Sequence, residues 1–162
     1  DMFLFSFYTR GMSFIDMAYL KKSDLKNGTI TYRRRKTGQQ LTVKWEKCME
    51  DIIAKYRENT ATRYLLPIIT NPCSDERTQY RNAICRINVA LKEVVGLAGL
   101  NIPLTMHVAR HCWASVAKSK NIPLSVISEG MGHDSEETTR IYLASLDTSV
   151  VDKANSLILK DF

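Results

Sequence analysis

"TITYRRRKTGQQLTVKW" (residues 29–45) reads as β-structure within a 162-residue chain that otherwise reads as helical, so its interpretation decides the fold class. Residues 29–35 and 40–45 are rich in Thr, Tyr, Val and Trp and flank a Lys-Thr-Gly turn, a pattern that predicts a β-hairpin. Four cations stand in a row, Arg33 to Lys36. Side chains alternate along an extended strand, so Arg34 and Lys36 are expected to face one way, Arg33 and Arg35 the other.

Working outward, "IDMAYLKKSDL" (15–25) spaces its apolar residues as a helix does, and "KNG" follows as a turn signal. "EKCMEDIIAKYREN" (46–59) places Met49, Ile52, Ile53 and Tyr56 on one stripe. Beyond a polar, proline-containing passage, a long helix is expected over about 76–97, with Ile84, Ile87, Leu91 and Val94 inward. Thr105 is the expected cap of a helix running to about Lys118. "IPLSVISEGMG" (122–132) reads as a short helix closed by glycine, and "SEETTRIYLAS" (135–145) as one capped by Ser135. The last segment, 148–160, carries an apolar stripe of Val150, Ala154, Leu157 and Ile158. The expected fold is mainly α with a small antiparallel β-hairpin (α+β), forming one domain.

Composition excludes several classes. The chain is 44% hydrophobic and 25% charged with few Gly or Pro, which argues against disorder. No apolar run approaches a membrane span. The opening "DMFLFSFYTRG" resembles no signal peptide and reads as a core helix of a longer protein. Cys48, Cys73, Cys85 and Cys112 are spread out with no C-x-x-C pair, as expected of free thiols in a reducing cytoplasm. Net charge is +6, and residues 21–47 alone hold nine basic side chains against Asp24 and Glu46. That concentration suits a phosphate-bearing partner.

Chemistry-bearing residues cluster in two later stretches. In "LTMHVARHCWAS" (104–115), His107 and Arg110 are spaced i, i+3, so imidazole and guanidinium would converge near a helix N-terminus that favours anions. Four-residue matches are common, and alone this one reads rather as a surface histidine with a solvated arginine. His107 and His111 are also spaced i, i+4 as zinc ligands can be, but no glutamate lies between them and Arg110 would set a cation beside the metal. In "EGMGHDSEETTRIYLA" (129–144), His133 follows Gly132 at the turn before a new helix that carries Tyr142. In isolation such a tyrosine is core filler; its place after a basic hairpin, His-x-x-Arg and Gly-His makes it a candidate site residue.

These motifs together resemble the tyrosine recombinases, the phage-type and mobile-element integrases. "LTMHVARHCWAS" is similar to their L-T-x-H-x-x-R-H-x-x-A-[ST] box, and "EGMGHDSEETTRIYLA" to their box of L-G-H followed by T-x-x-Y. The hairpin resembles the site of their mobile lysine, and "GMSFIDMAYLKKSDL" (11–25) resembles their first box. "FYTRGMSFIDM" and "YRRRKTGQQ" look closest to integrases of conjugative and mobilisable elements. The resemblance spans nearly the whole chain and implies a catalytic domain over 1–162 whose core-binding and arm-binding domains lie outside it.

It also implies roles. Tyr142 would attack a DNA phosphodiester and form a 3′-phosphotyrosine, Lys36 would protonate the leaving 5′-hydroxyl, Arg110 would hold the non-bridging oxygens, and His107 and His133 would support proton transfer and phosphate contact. Asp16 matches a position that orders neighbouring structure. Arg33, Arg35 and Lys44 would contact the DNA backbone. No cofactor, metal or ATP is implied. The implied partners are double-stranded DNA recombination sites, three further copies in a homotetramer (with a monomer possible for this domain alone), and accessory DNA-bending proteins; no membrane is involved. The stripe at 148–160 would pack on its own domain or pass to a neighbour. One departure stands out: Ser13 occupies the place of the first-box arginine, and a hydroxyl cannot act as a cationic fork. Arg34, beside Lys36, is the candidate substitute, with Arg10 the other. The alternative is a DNA-binding module whose catalysis is weakened by Ser13.

Overall fold

The computed structural model describes residues 1–59 and 62–144. Among these residues are seven α-helices and a small antiparallel sheet: α1 (Met2–Tyr8), α2 (Phe14–Ala18), β1 (Leu25–Lys26), β2 (Thr29–Arg33), β3 (Gln40–Lys44), α3 (Lys47–Ala54), α4 (Glu76–Leu97), α5 (Met106–Ser119), α6 (Leu124–Met131) and α7 (Glu136–Ala144). The fold is thus mainly α with a small antiparallel sheet. The apolar stripe at 148–160 lies outside the described residues.

The hairpin forms where its alternation predicts. Ile30 pairs with Val43 and Tyr32 with Leu41, all four buried, while Thr31 and Thr42 meet on the outer face with their hydroxyls 3.1 Å apart. The strand stops at Arg33, earlier than expected, because the 34–39 loop closes on itself: the Arg34 amide donates to the Gln39 carbonyl and the Gly38 amide to the Arg34 carbonyl, both at 2.8 Å. A third strand, β1, joins the sheet by pairing Leu25 with Ile30.

That strand belongs to the stretch 15–25 expected as one helix, which is broken instead. Helix α2 ends at Ala18, and the following backbone takes partners from a distant segment: the Lys22 amide donates to the Arg63 carbonyl at 2.9 Å and the Leu65 amide to the Leu20 carbonyl at 2.7 Å. Hydrogen bonds made through tertiary contact outweigh the local helical period. The Asn-Gly turn is the β1–β2 connection, both residues having positive φ.

Two apolar clusters build the molecule. The larger joins α1, α2, the sheet, α3 and α4 around Phe5, Met17, Ile30, Met49, Ile52 and Leu66. Ile84, Ile87 and Leu91 pack against it from α4, but Val94 is exposed, since α4 runs past the edge of that core. The smaller cluster, Ala114, Ala117, Ile127, Met131 and Leu143, ties α5, α6 and α7 together. Among the described residues no helix is long and apolar enough to cross a membrane.

Candidate active site

Four elements of separate sequence origin meet at one cleft. Its volume is about 290 Å³, and it is lined by Arg34, Lys36 and Thr37 from the hairpin loop, His107 and Arg110 from α5, His133 and Asp134 from the turn after α6, and Thr138 and Tyr142 from α7. All six side chains singled out as candidate catalytic groups are therefore brought to one place.

Two guanidiniums form its floor. Arg110, 6% exposed, donates from Nη1 to the Gly11 carbonyl at 2.7 Å and from Nη2 to the Met131 carbonyl at 2.6 Å. Arg34, 8% exposed, donates from Nη1 to the Gly132 carbonyl. Helix α6 thus offers its C-terminal carbonyls, the negative end of its dipole, to both cations. The glycines are required there. A Cβ on Gly11 (φ +72°) would lie 2.8 Å from the Arg110 Cα, and one on Gly132 (φ +64°) 2.8 Å from a methyl of Leu41. Gly132 closes α6 in a Schellman motif, its amide donating to the Glu129 carbonyl and that of His133 to the Ser128 carbonyl, each at 3.0 Å, which aims His133 at the cleft.

Among the described residues neither buried guanidinium has a carboxylate in ion-pair range. Burial, reinforced by Arg34, pulls Arg110 down to about 10, still well above neutral pH. Two like charges taken out of water and paired, among the described residues, with carbonyl dipoles and the His133 ring are chemically suited to receive an anion.

The histidines are held neutral. Nε2 of His133 lies 3.1 Å from Nη2 of Arg110, which can only donate, so Nε2 accepts. Nδ1 then carries the proton and donates to Oγ1 of Thr139, 2.7 Å away and fully buried. Burial first, then Arg110 and Arg34, lower His133 to about 4. Burial and Arg110 also lower His107, aided by Lys36.

Tyr142 sits against these rings. It stacks on His111 with centroids 4.4 Å apart and planes 3° from parallel, and meets His133 edge-on at 5.6 Å and His107 at 6.4 Å. Burial raises its phenol to about 12 despite the opposing pull of Arg110 and Arg34. Tyr142 reaches the cleft of its own chain.

Ser13 does not. It caps α2, its hydroxyl donating to Oδ2 of Asp16 at 2.5 Å, while Oδ1 of Asp16 accepts from the Arg35 amide at 2.8 Å. Asp16 thereby ties α2 to the hairpin loop. Arg10 turns toward Gly130 on α6 and does not line the cleft, whereas Arg34 does. Arg33 and Arg35 face a separate polar hollow with Asp16 and Tyr19, Arg35 lying 3.9 Å over the Tyr19 ring. Lys44 is exposed and pairs with Glu46 at 3.3 Å. Among the described residues no group of three His, Cys, Asp or Glu side chains could hold a metal ion, and the His107 and His111 rings meet edge to face at 4.4 Å.

Sequence reasoning missed Thr37 and Thr139 and weighed His111 only as a metal ligand. Thr139 could have been found from its spacing, since i and i+3 put it on the Tyr142 face of α7.

Comparison with known proteins bears on the family and the fold. The sequence profile described as the Phage integrase family matches residues 2–149. No curated protein matches the chain. Among solved structures, XerA recombinase superposes with a TM-score of 0.68 at 21% identity, covering 96% of this chain and 56% of that one. XerH site-specific recombinase, in a post-cleavage complex with a palindromic difH substrate, gives 0.65 at 21% identity over 96% and 44%. A lambda integrase dimer bound to a COC′ core site gives 0.59 at 17% identity over 88% and 50%. The chain spans about half the length of these proteins, and at such identities the likeness is one of fold.

Proposed function

The chain belongs to the phage integrase family, and on that premise we propose that it is the catalytic domain of a tyrosine-type site-specific DNA recombinase serving integration and excision of a mobile element. The observation that carries this reading is the pair of buried guanidiniums, Arg34 and Arg110, with no carboxylate partner among the described residues, beside a tyrosine in the same cleft.

The chemistry follows from the groups present. A DNA phosphodiester seated on Arg110 and Arg34 would have both non-bridging oxygens neutralised, and the guanidiniums would hold the added charge of the pentacoordinate transition state. The Tyr142 oxygen attacks phosphorus, forming a phosphotyrosine on the 3′ side as the bond to the 5′ oxygen breaks. Neutral His107 accepts the phenol proton, and Lys36 gives one to the departing 5′ oxygen. The phosphodiester bond energy is retained in the phosphotyrosine, so attack by a 5′-hydroxyl from another strand completes exchange. Arg34 takes the place of the family's first arginine, since Ser13 is committed to Asp16. At full length, core-binding and arm-binding domains would choose the site, Arg33, Arg35 and Lys44 would follow the DNA backbone, and four copies would assemble on two sites. The basic hairpin fits best an integrase of a conjugative or mobilisable element.

The test is covalent capture. Full-length protein is incubated with duplexes randomised around a single 5′-bridging phosphorothiolate, whose thiolate leaves without reclosing. A protein–DNA adduct is expected, and Tyr142→Phe should abolish it. Ser13 motivates a second reading, a DNA-gripping module without cleavage. Salt-dependent DNA binding with no adduct from the parent protein would decide for that module.

A further inference from the structure

We propose that His111 is a positioning residue, whose ring face docks the Tyr142 phenol in the cleft of its own chain while its nitrogens take no part in the reaction. Where cleavage is concerned, this rests on the recombinase reading above.

His111 follows Arg110 on α5 and lies one turn beyond His107. Its contact with Tyr142 is face to face, 3° from parallel at 4.4 Å, whereas the two other histidine contacts of Tyr142 are edge-on and longer. His107 in turn abuts the His111 ring edge to face at 4.4 Å, so α5 presents a two-ring wall to α7. Helix α7 gains its anchorage from Thr139 and Leu143, both buried, while neighbouring Ile141 is 63% exposed. Tyr142 stands at the border between those faces. A flat ring stacked on the phenol limits the orientations open to it.

A second observation separates ring from nitrogen. Among the described residues, Nδ1 of His111 is buried with no hydrogen-bond partner, so no network there depends on that atom. Burial, His107 and Arg110 keep the imidazole neutral, which spares the stack a cation. Pre-aligning a nucleophile raises the rate of a step without tightening ground-state binding, so the effect belongs in the cleavage rate and not in DNA affinity.

Three variants of the full-length protein test this: His111→Ala, His111→Phe and His111→Gln. Single-turnover adduct formation on the phosphorothiolate pool should fall 10- to 100-fold in His111→Ala with DNA affinity changed less than twofold. His111→Phe should keep the parent rate within about threefold, and His111→Gln should behave as His111→Ala. Independently of DNA, nitration of Tyr142 by tetranitromethane, mapped by mass spectrometry, should be at least threefold faster in His111→Ala than in parent or His111→Phe. Equal nitration in parent and His111→Ala overturns the proposal. So does a His111→Phe protein that melts like the parent yet cleaves as slowly as His111→Ala, because the nitrogens would then matter. A parent that forms no adduct overturns the recombinase reading instead, and nitration still decides whether His111 docks Tyr142.

Discussion

Lys36 and Arg34 are two positions apart in sequence and do different work in the proposed reaction. If Lys36 protonates the leaving oxygen, Lys36→Ala should cut cleavage of an ordinary phosphodiester by at least 10²-fold. A 5′-bridging sulfur leaves as a thiolate without a proton, because a thiol is far more acidic than an alcohol. Adduct formation on that substrate should return to within about fivefold of the parent rate. A Lys36→Ala protein equally slow on both substrates would place Lys36 on the phosphate and not on the leaving group. Arg34 gives no such rescue. Removing a preorganised transition-state donor typically costs ~10²–10³-fold, so Arg34→Ala should fall in that range on both substrates. Arg34→Lys should remain impaired, since an ammonium lacks the fork that reaches the Gly132 carbonyl and an oxygen at once. If Arg34→Ala cleaves as fast as the parent, the substitution for the first arginine is wrong. Tyr142, raised to about 12, is protonated at neutral pH, so the proposed attack needs a base to take its proton.

The elements explain why these side chains meet. Helix α6 matters more for its end than for its length: the Schellman turn at Gly132 supplies the carbonyl that Arg34 uses and the direction of His133. Gly132→Ala should therefore destabilise the domain by about 2–3 kcal/mol, combining a left-handed backbone with a Cβ 2.8 Å from Leu41. Gly28 has a similar φ of +71° but open space around it, so Gly28→Ala should cost only about 1 kcal/mol. Urea unfolding of the two variants checks the difference, and equal losses would mean that backbone conformation alone sets the requirement. Elements also show where local pattern misled. The period of residues 15–25 is helical, yet pairing with residues 63–65 and with β2 converts its second half into a turn and a strand. Thr105 occupies the N-cap position of α5 as expected, but its side chain makes no capping hydrogen bond, and the Met106 amide is satisfied by Oδ1 of Asn88 from α4 at 3.0 Å, a partner that no local motif announces.

At the scale of the whole molecule, the neutral, partly shielded histidines of the cleft couple stability to pH. His133 has its proton affinity lowered on folding to about 4, so between pH 6.5 and 4 the unfolded chain binds more protons than the folded one. Stability is complete above pH 6.5 and falls as pH drops toward 4, with His107 and His111 shifted in the same direction. The thermal midpoint should decline over that window, and His133→Asn should flatten the decline; an unchanged slope would assign it to other groups. The sequence by itself determined the mainly helical class, the hairpin, the family membership and the residue types of the cleft. Those follow from short-range periodicity and from motifs whose spacing is preserved in the linear chain. Only the tertiary structure decided that Arg34 and not Arg10 lies beside Arg110, that Ser13 is spent on Asp16, and that Tyr142 rests on His111. Each of these depends on where one element sits against another far away in sequence, and that is set by burial and by partner-seeking backbone groups, which leave no periodic trace in the chain.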